Sequence, residues 1–73
     1  MKNTDTALDT FARLQDDLMM RLMAGIPPRK LERSRQKHLA ALVAAGFKLS
    51  EAIHAWDDSV NTAQYMREQE KAA

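Results

Sequence analysis

The sequence predicts an all-α protein, either a three-helix bundle or the same helices exchanged across an intertwined homodimer. Three observations predict it. Gly and Pro number only two each in 73 residues, and Ala, Leu and Met are plentiful, a composition that favours helix. Apolar residues recur at three- and four-residue spacing, with no period-2 strand pattern. The Gly and Pro residues also fall at only two places, one at Gly25, Pro27 and Pro28, the other at Gly46. They cut a chain long enough for a single domain, 1–73, into three segments.

The first helix is expected over 6–24. Thr6 with Asp9 three residues on resembles a capping box, and acids suit a helix N-terminus. Leu8, Phe11, Leu18, Leu22 and Ile26 share one face, with Ala12 and Met19 beside them and Gln15 in the middle of the stripe. Asp9, Arg13, Asp17 and Arg21 alternate in sign four apart on the far side. That pattern reads as a solvated ladder, each pair contributing ~0.2–0.5 kcal/mol. Leu14 and Met20 lie off the stripe, so this helix is apolar on more than one side. Gly25 closes it in the left-handed conformation, and the prolines stop propagation.

The second helix is expected over 28–45, with Pro28 at its first position, where the missing N–H costs nothing. Its apolar face is Leu31, Leu39 and Leu42, with Ala41, Val43 and Ala45 near it. His38 projects close to that face and reads as a satisfied or half-buried core histidine. Gly46 reads as the C-terminal cap and Phe47 as the apolar residue folding back on the last turn. Ser50 reads as the N-cap of the third helix, expected over 51–70. There Leu49, Ile53, Trp56, Val60 and Ala63 follow the 4-3-4-3 spacing of a coiled-coil-like seam. The next seam position is Arg67, so the seam ends and the tail is expected to fray.

A chain of this size buries roughly 60% of its unfolded surface and is marginally stable alone. With no Cys, disulfides and thiolate metal sites are excluded. Two His are too few for a structural zinc site in one chain. His54 and Asp58, four apart, supply two ligands at most and read as an exposed ion pair. No metal or cofactor is expected. Oligomerisation, most simply a dimer, or a partner chain is the remaining stabilising device. Met19, Met20 and Met23, with Leu14, carry apolar surface beyond one packing face. Trp56 is a core or interface anchor. Leu14, Met19, Met20, Met23 and Trp56 are therefore the candidate protein-interface residues.

No nucleophile signature or Gly-rich phosphate loop is present, which argues against an enzyme. The polar start, with Asp5 and Asp9, does not read as a signal peptide, and no apolar run approaches the ~20 residues of a membrane span. The expected setting is cytoplasmic, without membrane contact. Net charge is +1, but its distribution is uneven. Residues 1–25 carry three basic against four acidic side chains and residues 49–73 two against five; residues 26–48 carry six against one.

Within that middle segment Arg29, Lys30, Arg33, Arg35 and Lys37 form a basic cluster. Arg29, Lys30, Arg33 and Lys37 share one helix face opposite Leu31 and Leu42. This stripe is either a solvated face, a partner for the acidic neighbouring helices, or a phosphate-contacting surface that a dimer would double. The glycine-containing turn at Gly46 has the gross look of a helix–turn–helix unit. Its second helix, however, opens with Glu51, Asp57 and Asp58, which oppose entry into a polyanionic groove.

The stretch Ala45, Gly46, Phe47, Lys48, Leu49, Ser50, Glu51, Ala52, Ile53 resembles the helix-connecting segment of MerR-type regulators. No counterpart of their winged DNA-binding region precedes it here, so the resemblance implies no function. In size and composition the chain resembles small accessory proteins of bacteria, phages and plasmids. The expected function is a non-enzymatic protein-interaction module, an adaptor, inhibitor or regulator that docks to itself and to a partner protein. The alternative is a small nucleic-acid-binding regulator using Arg29, Lys30, Arg33 and Lys37.

Overall fold

The computed structural model describes residues 2–72, with side chains from Thr6 onward. It consists of three helices, α1 (Lys2–Ala24), α2 (Pro28–Ala44) and α3 (Leu49–Ala72), all packed on one another within one chain. Of the two expected arrangements, the three-helix bundle is the one found. The order is up-down-up. Phe11 meets Phe47, Gln15 meets Ala55 and Ser59, and Leu22 lies beside Val60 and Ala63, so α1 and α3 run parallel. The reversed α2 brings His38 to Gln15. The helix α3 packs extensively on both others, whereas α1 and α2 meet less.

Both glycines act as expected. Gly25 has φ +100° and Gly46 φ +108°, the region an L side chain rarely adopts. At the end of α2 the Gly46 N–H donates to the Val43 carbonyl and the Phe47 N–H to the Leu42 carbonyl, at 3.0 and 3.1 Å. This is a Schellman motif, which pairs two carbonyls that the helix end leaves open.

Two N-terminal expectations are corrected. The helix α1 starts at Lys2, four residues before Thr6, so Thr6 lies inside the helix and caps nothing. No Gly or Pro interrupts residues 2–6, and a cap-forming side chain does not by itself stop a helix. Likewise Ser50 is not the N-cap of α3, which begins at Leu49. The cap is made from the other direction, with Glu51 Oε1 accepting the Lys48 N–H at 2.8 Å. That bond is the returning half of a capping box. The tail of α3 does not fray but stays helical to Ala72.

The core consists of Leu18 and Leu22 of α1, Leu39 and Leu42 of α2, and Ala52, Ala55, Trp56 and Ala63 of α3. The seam of α3 differs from the expected one. Trp56 and Ala63 are in it, but Leu49 is 58% exposed, and Ile53 and Val60 pack only partly. The buried line is instead Ala52, Ala55, Trp56, Ser59 and Ala63. A helix wedged against two neighbours turns its small residues inward, because they let both backbones approach. Bulky side chains then fill the flanks. On α1 and α2, Leu8, Leu31 and Val43 also lie largely outside the core. Beyond Ala63 every described residue of α3 is exposed, although Gln64, Arg67, Glu68 and Lys71 border a hollow with Leu22, Ile26 and Leu31.

Candidate protein-docking groove

Between α1 and the start of α3, at the Phe47 end, folding leaves a groove of about 730 Å³. Its position follows from local structure. The Schellman turn swings Phe47 back, and its ring meets that of Phe11 at 5.3 Å and 49°, a tilted aromatic pair. Phe11, Phe47 and Ala55 give the groove its apolar floor, and Leu8 forms one wall. The opposite wall is the first three turns of α3, with Glu51, His54 and Asp58 along the rim. The lining contains no Lys or Arg. Lys48 adjoins Phe47 in sequence but is not part of it.

Gln15 closes the floor and ties the groove to the interior. Its Nε2 donates to Ser59 Oγ at 2.8 Å and to the Ala55 carbonyl at 3.3 Å. Its Oε1 pairs with His38 Nε2 at 2.7 Å. Since Oε1 can only accept, the imidazole carries its proton on Nε2. His38 is 3% exposed and its Nδ1 has no hydrogen-bond partner. A bare Nδ1 lone pair is tolerable there; an N–H would be an orphaned buried donor. Burial, and after it the positive charge of Arg21, holds the His38 pKa below its ordinary 6.5. The sequence reading placed His38 near the core; the satisfied half of it is Nε2.

The expected interface residues scatter. Trp56 is 5% exposed, within the core, and faces the His38 ring at 6.0 Å. Leu14, Met19 and Met23 are partly buried and pack against the core, whereas Met20 is 71% exposed. They do not form one patch. Leu8, Phe11 and Phe47 do gather, and sequence reasoning missed this, having read Leu8 and Phe11 as core and Phe47 as a cap. The available signal was Gly46, whose turn decides where Phe47 points.

Arg29, Lys30, Arg33 and Lys37 are all exposed, on the side of α2 opposite His38, Leu39 and Leu42. The stripe is therefore on the outside of the bundle rather than folded against α1 or α3. His54 and Asp58 both border the groove. Among the described residues no three His, Cys, Asp or Glu cluster as metal ligands, and no helix is long and apolar enough to cross a membrane. Comparison with protein-family models, curated proteins and solved structures found no match.

Proposed function

We propose that the chain is a non-enzymatic protein-interaction module whose docking surface is the α1–α3 groove. One observation carries the reading. The Phe11–Phe47 floor lies in an open groove, and its Leu8 wall is 58% exposed, so folding leaves a concave apolar surface uncovered. On small domains such surfaces mark contact sites. The polar side chains around it, Ser50, Glu51, His54 and Asp58, are spread along the α3 rim, and the reading rests on the apolar floor between them and Leu8.

Site-specific photocrosslinking in the cells that express the chain tests this. A benzophenone side chain at position 8 should give a discrete protein adduct, and one at position 40, on the outer face of α2, should not. Adducts at position 40 alone, or at neither, would remove the groove as docking site. An adduct of twice the chain mass would assign the docking to a second copy.

The exposed basic face of α2 supports a second reading, nucleic-acid contact through Arg29, Lys30, Arg33 and Lys37. Each side chain that neutralises a phosphate steepens the salt dependence of binding. Replacing Arg29, Arg33 and Lys37 with Glu should abolish any low-salt retention on duplex DNA or RNA. Retention that survives the substitution, or is absent from the outset, excludes this surface.

A further inference from the structure

We propose that the occupant of the groove is a cationic amphipathic helix of a partner protein, an inference that rests on the docking reading above. The rim supplies the charge. Glu51 and Asp58 stand seven residues apart on α3, two helical turns, with His54 between them and no basic side chain in the lining. The groove is thus an apolar trough with carboxylates along its α3 rim, which attracts Lys and Arg and repels acids.

Its dimensions supply the shape. Leu8, Phe11 and Gln15 line it at i, i+3 and i+7, a length of about 10 Å at 1.5 Å per residue. An amphipathic helix presents anchors at this same i, i+3 or i+4, i+7 spacing when it lies in a groove. The matching ligand has two or three bulky apolar residues at that spacing, flanked by basic residues two turns apart.

A second copy fits less well. Two grooves facing each other would oppose Glu51 and Asp58 to themselves. The apolar neighbours of the basic stripe on α2 are small, Ala40, Ala41 and Ala44 with Val43 at its edge, and none is bulky enough to fill a trough floored by two phenylalanine rings. A nucleic acid would meet the acidic rim with its phosphates.

The test titrates the isotope-labelled 73-residue chain with three designed helical peptides of about 15 residues, roughly four turns. One carries Leu at i, i+3 and i+7 with flanking Lys, the second has Glu in place of Lys, and the third has the same Lys content with the Leu spacing scrambled. The Leu–Lys helix should shift the amides of Leu8, Phe11, Phe47 and Asp58, and the other two should not. Charge pairs on a solvated rim are individually weak, so removing both, Glu51→Gln with Asp58→Asn, should weaken binding by about tenfold. Gln at position 51 still accepts the Lys48 N–H, so the cap of α3 is kept.

Equal binding of the Glu helix or the scrambled peptide would overturn the charge and spacing assignment. Binding by no peptide, alongside crosslinking from position 8, would overturn this inference and leave the docking reading standing. Failure of both removes both. Groove shifts that depend on protein concentration alone would make the occupant a second copy and overturn the proposal.

Discussion

Two adjoining parts of the interior are held in different ways. Around Leu18, Leu39, Leu42 and Trp56 the three helices meet through apolar side chains, and Leu42 has no exposed surface at all. Beside this layer Gln15 spans the bundle, joining His38 of α2 to Ser59 and the Ala55 carbonyl of α3. Apolar contact is non-directional and scales with area. It drives the helices together but accepts many rotations about their axes. The Gln15 junction is directional, because its three bonds form only when each helix presents one particular face. The apolar layer therefore carries most of the stability, and the junction selects the register.

The largest effect is expected in the apolar layer. Leu42→Ala should cost about 2–5 kcal/mol, most of the roughly 3–5 kcal/mol that a core of this size supplies. Chemical denaturation followed by the fluorescence of Trp56, the single tryptophan, measures it. A loss under about 1 kcal/mol would mean the layer is not as closely filled as the burial of Leu42 indicates.

At the junction, Gln15→Ala should cost about 1–3 kcal/mol, the penalty of an unpaired buried polar group. Ser59 can fall back on the carbonyl four residues earlier in its own helix, so the orphan is His38 Nε2–H. Replacing both partners, Gln15→Met with His38→Leu, should recover part of that loss. If the junction sets register, the double variant regains stability but its amide spectrum broadens or multiplies. A sharp, single set of resonances would show that apolar packing alone selects the fold.

The smallest effect is pH dependence. The pKa of His38 is lower in the folded than in the unfolded chain, first by burial and then by Arg21; α3 brings the neutral Trp56 ring beside it. The unfolded chain therefore binds the proton that the folded chain refuses. This contribution is fully present above pH 6.5 and is lost progressively as pH falls below it, levelling off under the folded value. The melting temperature should fall between pH 7 and pH 5, and His38→Leu should flatten that part of the profile. An unchanged slope in the variant would assign the dependence to other groups.

Much of the fold was legible in the residues themselves. Gly25 and Gly46 had to take positive φ to end their helices, and Pro28 suited a first turn. Leu18, Leu22, Leu39 and Leu42 lay on faces that had to be buried. Those are local requirements, met within one turn of the chain. The misreadings share a cause as well. Leu8, Leu49 and Val43 are more hydrophobic than the buried Ala52, Ala55 and Ser59, so a search for apolar stripes ranked them in the wrong order.

What the sequence determined by itself was three helices, their breaks and the basic outer face of α2, because propensity, capping and charge act over a few residues. The tertiary structure decided that α1 runs parallel to α3, and that α3 turns its small residues inward. It also decided that Gln15, His38 and Ser59 meet, and that Phe11 and Phe47 form the floor of an acid-rimmed groove. Each of these depends on how closely two helix backbones approach across tens of residues, a distance set by all the contacting side chains at once.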